Sequence, residues 1–251
     1  MSKTILITGG SRGLGKNMAL SAAAQGYDVI ITYHTKKEEA GEVVSQIEKL
    51  GQKALALSLD VYNTSSISNF ASKVKACLQG NATVGKLYAL VNNAGVGYYE
   101  PISNTTDDTL DKLYNMHFKS VFLLAKEFSH SIEEGGSIIN VSSGYSRFSA
   151  VGFSVYGAMK GAIDTLTRFQ ALEFAPLKIR VNSIAPGAIE TDFAGGIVRD
   201  KAEINNYVAT QTALGRTGQP DDIGAVVTFL ISDAAKWING QRIEVSGGIY
   251  L

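Results

Sequence analysis

Short apolar runs rich in β-branched residues alternate with longer helix-period segments along this chain of 251 residues, and few folds satisfy that alternation. Strand-like runs are read at Thr4–Thr8, Asp28–Tyr33, Lys53–Leu59, Leu87–Asn92, Ser137–Val141, Ile179–Ile184 and Arg242–Val245. Helical spacing falls between them, at Gly13–Gln25, Lys36–Leu50, Thr64–Leu78, Thr106–Glu133, Val155–Phe174 and Pro220–Ser232. Several runs, DVIITY at 28–33 among them, are apolar on both faces, and such strands belong in a parallel sheet covered by helices. The expectation is an α/β fold, a doubly wound parallel sheet of about seven strands with helices on both faces. No repeat, low-complexity tract or linker divides it, so residues 1–251 read as one domain. Pro186–Gln219 is the irregular exception, and a long excursion of that kind suggests a lid over a ligand at about 188–215.

Composition excludes several function classes. The formal net charge is zero and no Lys/Arg cluster tracks phosphates, which argues against a nucleic-acid partner. The single cysteine, Cys77, forbids an internal disulfide and reads as a buried small hydrophobe of a helix. His34, His117 and His130 are far apart in sequence, so no metal-ligand spacing exists. The apolar run Ile5-Leu6-Ile7 is too short for a signal peptide, and no stretch approaches the ~18 apolar residues of a membrane span. A cytoplasmic protein with no membrane contact is the expectation.

The first strand runs directly into Thr8-Gly9-Gly10-Ser11-Arg12-Gly13-Leu14-Gly15, and a helix follows. Glycines there let the backbone turn tightly and approach a pyrophosphate, whose charge the N–H groups of the helix start can bind. The bland reading is a tight strand-to-helix turn. A triphosphate loop is the rival, since residues 10–17 nearly match G-x-x-x-x-G-K-[ST]. It fails at Asn17, where a hydroxyl should hold Mg²⁺.

Later in the chain Tyr156 and Lys160 stand at i and i+4 on one helix face, and Ser143 follows the fifth strand at the sheet edge where open α/β folds bind ligands. A cation about 4 Å from a phenolate stabilises it by roughly 4 kcal/mol at an effective dielectric near 20. That would bring a phenol about three units down towards neutrality, where an acid–base group works best.

With these pieces on view, the chain resembles the short-chain dehydrogenase/reductase family, which is built on a Rossmann fold. The matching pieces are TGGSRGLG at 8–15, Asp60-Val61, Asn92-Asn93-Ala94-Gly95, Ser143, Tyr156-x-x-x-Lys160, Pro186-Gly187 with Thr191, and LGRTGQPDDI at 214–223. The flavour is that of 3-oxoacyl-carrier-protein reductases and their relatives. The resemblance implies that Tyr156 exchanges a proton with the substrate oxygen, that Ser143 hydrogen-bonds that oxygen, and that Lys160 binds the nicotinamide ribose. It implies cofactor contacts from Gly9, Ser11, Arg12, Gly13, Leu14 and Gly15, from Asp60 and Val61 at the adenine, and from Asn92, Ala94 and Gly95. Pro186, Gly187, Ile189 and Thr191 would hold the nicotinamide and its phosphate. Many relatives carry a relay Asn on the long central helix; here that slot holds His117, which bonds a water, leaves the relay broken, or is a satisfied helix residue with no role. Ser246, where relatives commonly have Asp, is expected to affect packing and not chemistry.

An NAD site wants a carboxylate at the end of the second strand. This chain has Tyr33, then His34, with no carboxylate before Glu38, while Arg12 can reach a 2′-phosphate. NADP(H) is therefore expected over NAD(H). The substrate is expected to be a small carbonyl compound or alcohol, a 3-oxoacyl thioester or related ketone, met by residues such as Tyr98, Tyr99, Tyr145, Arg147, Phe193 and Tyr207. The resemblance also implies a homotetramer packed through the helices at 106–133 and 155–174 and the C-terminal strand. A dinucleotide-binding sensor without turnover is the alternative, and His117 is the feature that favours it.

Overall fold

The structure, a computed structural model, describes residues 3–80 and 86–251. The expected span of 1–251 also takes in residues 1–2 and 81–85, which lie outside the described residues. The strands are β1 (Thr4–Ile7), β2 (Asp28–Tyr33), β3 (Ala54–Ser58), β4 (Leu87–Asn92), β5 (Ile132–Val141), β6 (Arg180–Pro186) and β7 (Arg242–Val245). They form one sheet in the order β3-β2-β1-β4-β5-β6-β7, and every pairing is parallel. The α/β doubly wound expectation is therefore met. The strand runs that looked apolar on both faces are buried on both: β1 and β4 are buried at every position, and β2 at all but its last.

Two apolar layers sandwich the sheet. On one face α1 (Gly13–Ala24), α2 (Lys37–Lys49) and α9 (Asp221–Ile231) supply Met18, Ala22, Val43, Ile47, Val227 and Leu230. On the other, α3 (Ile67–Gly80), the segment from α4 (Asp107–Tyr114) to α5 (Ser120–Phe128), and α6 (Ser154–Glu173) supply Phe70, Val74, Met116, Leu124, Phe128 and Ala171. Phe128 is fully buried, which contributes about 1.5–3 kcal/mol by transfer alone. Asn17, the residue that spoils a triphosphate loop, has a packing job. Its amide donates to Asp221, and its carbonyl accepts from Gly224 N at 3.0 Å, pinning α1 to α9.

Two expectations are corrected. The long helix expected over 106–133 is broken by a π-helical turn at Asn115–Lys119 between α4 and α5. It also ends early, because β5 begins at Ile132, where the Gly135 N–H pairs with the Lys178 carbonyl and Gly135 adopts φ +84°. Cys77 is only half-buried. The stretch 188–215 contains a 3₁₀ turn at Phe193–Gly196, then α7 (Ile197–Asp200) and α8 (Ala202–Gln211).

The order of strands reverses between β1 and β4, so chains leaving their carboxyl ends diverge and open a crevice. The glycine turn after β1 and the Asn92–Gly95 segment after β4 both reach that crevice.

Candidate active site

At the crevice the β1–α1 turn needs its glycines for stated reasons. Gly9 and Gly13 lie in the left-handed region, at φ +68° and +55°. A Cβ on Gly15 would sit 2.1 Å from the Gly9 carbonyl and 2.6 Å from Asn93 Nδ2. The turn is braced from β4: Asn93 Nδ2 donates to the Thr8 carbonyl at 2.8 Å and to the Gly9 carbonyl at 3.2 Å, while the Thr8 hydroxyl accepts from Asn93 N and Ala94 N at 2.9 Å each. Arg12, at the N-cap of α1, makes no side-chain cap, so the first-turn N–H groups face the crevice without a side-chain partner. A cradle of bare backbone donors at a helix start fits a pyrophosphate.

Around this cradle the expected cofactor residues assemble. Thr191 lies opposite Gly13, whose Cβ, if added, would meet it at 3.7 Å. Ile189 is anchored by a bridge to Gly218, and Gly187 packs on the backbone of Ser246, which accounts for Ser246 as a packing residue. At the far end Tyr33 is half-buried, and His34 Nε2 lies 3.7 Å from Asp60 Oδ2, while Asp60 also accepts from Tyr62 N at 2.9 Å. Val61 is buried in the core. Arg12 reaches Asp192 at 3.8 Å, and Asp192 in turn pairs with Arg199, so a charged bridge spans the glycine turn and the 188–215 stretch. Of the Asn pair, Asn92 turns inward: it is buried and donates to Asn140 Oδ1 at 2.9 Å, within a chain that continues to Thr167 and Gln170.

On the other side of the crevice, Ser143, Tyr156, Lys160 and His117 are brought together, all buried. Lys160 Nζ donates to the Val141 carbonyl at 2.7 Å and lies 5.6 Å from the centre of the Tyr156 ring. The Ser143 hydroxyl accepts from Tyr145 N at 3.3 Å, capping the turn at Gly144–Ser146. Burial pushes the Tyr156 phenol up to about 12, against a downward pull from the Ser143 hydroxyl, and pushes Lys160 down to about 8, against Asp164. A phenol lowered towards neutrality by Lys160 is not what the protein alone presents. The ammonium is held on a backbone carbonyl beneath the ring, and desolvation outweighs the attraction assumed from spacing.

His117 is the least satisfied group of the site. Its ring meets Tyr156 edge-on, with centroids 5.3 Å apart, and it presses on Gly95, where a Cβ would lie 2.9 Å from Cε1. It is 1% exposed, yet neither ring nitrogen has a hydrogen-bond partner of good geometry among the described residues. Burial, then the charge of Lys160, hold its pKa well below the usual imidazole value, against a weak upward pull from the Val96 backbone. The π-helical turn carries it, since the extra residue per turn swings 117 inward.

Sequence reasoning passed over Asn93, and it passed over the pair that fixes the loop after β5. Arg242 Nε lies 3.0 Å from Asp164 Oδ2, and Arg242 Nη2 donates to the Ser143 carbonyl at 3.2 Å. An i, i+4 relation between Lys160 and Asp164 was visible; a partner on β7 was not. Arg147, expected near the substrate, is instead engaged by Glu244 and by the carbonyls of Ile249 and Tyr250.

A family model described as enoyl-(acyl carrier protein) reductase matches residues 9–250. The chain belongs to the short-chain dehydrogenase/reductase family. An uncharacterised oxidoreductase of Methylorubrum extorquens is 37% identical, covering 98% of this chain and 97% of that one. The trihydroxynaphthalene reductase PfmaI of Pestalotiopsis fici is 34% identical, covering 98% and 88%. A solved short-chain dehydrogenase from Burkholderia cenocepacia in complex with NADP superposes with a TM-score of 0.90 at 32% identity, covering 98% of this chain and 97% of that one. In this dehydrogenase/reductase no described helix is long and apolar enough to cross a membrane, and no group of three or more His, Cys, Asp or Glu among the described residues is placed to hold a metal.

Proposed function

We propose that this short-chain dehydrogenase/reductase is an NADP(H)-dependent reductase of ketones, with Tyr156 as proton donor. The observation that carries the proposal is the meeting of buried Ser143, Tyr156 and Lys160 with a glycine cradle at one crevice of the sheet. When bound, the nicotinamide supplies the hydride. Gly9, Ser11, Gly13, Leu14 and Gly15 hold the pyrophosphate, Arg12 reads a 2′-phosphate, and His34 with Asp60 and Val61 borders the adenosine. The absence of a carboxylate at Tyr33 removes the repulsion that would reject that phosphate. Pro186, Gly187, Ile189 and Thr191 flank the nicotinamide, with Ala94 and Gly95 along the other side.

Ser143 and Tyr156 hold the substrate oxygen between two hydroxyls. A phenol kept at about 12 stays protonated at neutral pH, which suits donation to a developing alkoxide. Lys160, itself near 8, carries a mobile proton beneath the ring. His117, neutral and without a well-formed hydrogen bond, accepts one from a water that reconnects the site with bulk solvent. The 188–215 stretch closes over the substrate as a lid. A groove of Phe118, Gly161, Ala162 and Leu166, with Phe169 and Leu172 exposed beside it, supports assembly as a homotetramer through α6.

The test is NADPH consumption with a ketone panel by wild type and Tyr156→Phe. Turnover is expected to vanish in the variant while NADPH affinity stays within about twofold, since the hydroxyl touches substrate and not the pyrophosphate. Undiminished turnover in the variant would remove Tyr156 from its role. No turnover by either protein, with NADPH bound, would turn the reading towards a sensor.

A further inference from the structure

The walls of the crevice above Tyr156 are built from aromatic rings, and glycines make room for them. Tyr145 and Phe193 flank the Tyr156 ring at 6.2 and 6.0 Å between centroids. Phe153 lies parallel to Tyr145 at 4.5 Å with 13° between planes, and Tyr99 closes on Phe153 edge-on at 5.6 Å. Phe193 lies over Gly97, where a Cβ would be 2.7 Å from the ring; Tyr99 lies over Gly152, where it would be 2.4 Å. Any side chain at either glycine would push these rings out of place. Two of them, Phe193 at 45% and Tyr99 at 62%, remain open to solvent at the mouth of the crevice.

Charge is as informative. Arg147 lies in the segment that carries Tyr145 and Phe153, and Arg199 in α7 just after Phe193; both guanidinium groups are engaged, the first by Glu244 and two tail carbonyls, the second by Asp192 and Asp200. To meet a phosphorylated carrier, either would first have to leave these partners. A wall of ring faces with its arginines occupied selects a flat, uncharged partner.

We infer that the ketone reduced here is carried on a fused aromatic skeleton, seated between Phe193 and the Tyr145–Phe153 pair with its carbonyl oxygen at Tyr156 and Ser143. This rests on the reductase reading above and replaces the 3-oxoacyl thioester with an aromatic class.

The experiment compares β-tetralone with acetoacetyl-N-acetylcysteamine under NADPH, using wild type, Phe193→Ala and Tyr145→Leu, and measures the thermal shift of the NADP-bound protein on adding β-naphthol. An aromatic contact of this kind is worth about two- to tenfold in binding. Wild type is expected to prefer β-tetralone by about tenfold or more in kcat/KM, with each variant losing about two- to tenfold on β-tetralone and much less on the thioester. β-Naphthol should raise the melting temperature of wild type and less so that of the variants. Equal or better use of the thioester, or variants that lose both substrates alike, overturns the aromatic assignment and leaves the reductase standing. If neither substrate is consumed, the reductase reading falls, and the β-naphthol shift still decides the wall: a shift lost in Phe193→Ala supports it, and no shift in wild type overturns it.

Discussion

Replacing His117 with Leu separates the stability of this site from its chemistry. The imidazole is 1% exposed, and both nitrogens lack a well-formed hydrogen bond. An unsatisfied buried polar group costs about 1–3 kcal/mol, and an apolar group of similar shape removes that cost. Leu is slightly larger and would press on Gly95, which the ring already crowds, taking back about 1 kcal/mol. The net expectation is a gain of about 0–2 kcal/mol. At about 2–4 °C per kcal/mol for a chain of this size, the melting temperature should rise by up to about 8 °C. Turnover should fall by about 10²–10⁴, the usual worth of a positioned proton-transfer path. The wild-type imidazole resists protonation in the fold, whereas the unfolded one protonates below 6.5, so wild type loses stability as pH falls through that range and the gap to the Leu variant should widen. His117→Asn, which keeps a donor and an acceptor, should retain most of the turnover. Scanning calorimetry against pH and steady-state NADPH oxidation measure both halves. A Leu variant that melts lower at unchanged turnover would show that the imidazole is a satisfied structural group, and the reasoning would fail. One that melts higher at unchanged turnover would keep the burial cost and discard the proton path.

Lys160→Met provides a second pH test: Lys160 is held near 8 in the fold against 10.5 when unfolded, so wild type should gain up to about 3 kcal/mol over the variant as pH rises from 8 to 10.5, read from cofactor-free urea unfolding. A gap that stays flat across that window would mean the ammonium is not desolvated. Gly15→Ala would force the Gly9 carbonyl and Asn93 apart from an approach of 2.1 Å, costing about 1–3 kcal/mol of stability and most of the NADPH affinity measured by fluorescence titration, whereas Gly26→Ala, strained at φ +89° with open space around it, should cost stability without affecting NADPH. Arg242→Met strands the buried Asp164 carboxylate and loosens the Ser143 carbonyl, with an expected loss of about 3–5 kcal/mol in denaturant unfolding; a loss under about 1 kcal/mol would mean that water already serves Asp164.

Much of the fold was legible because its signals are local. β2, β4 and β7 fall on the residues expected: the first two are double-faced apolar runs with few other homes, and β7 is a short alternating run, Arg-Ile-Glu-Val. The glycine turn and the Tyr156/Lys160 face were equally readable, because φ preference and helical periodicity act over a few residues. The break at Asn115–Lys119 and the early start of β5 were not, since helical propensity there yields to pairing with β4 and to a π turn that only packing against α6 reveals. Likewise, spacing showed Lys160 beside Tyr156 but not its bond to the Val141 carbonyl, nor the dry surroundings that push the phenol up where a cation 4 Å away would have lowered it. By itself the sequence determined the class of fold and the family, and it displayed the glycine turn and the Ser143, Tyr156 and Lys160 pattern on which the proposed chemistry rests. Tertiary structure alone decided that Asn93 braces the cradle while Asn92 faces inward, that Arg147 ties down the tail, and that His117 stands buried and unpaired against Tyr156. Those outcomes depend on which distant side chains desolvate or satisfy a polar group, and nothing within a few residues of it carries that information.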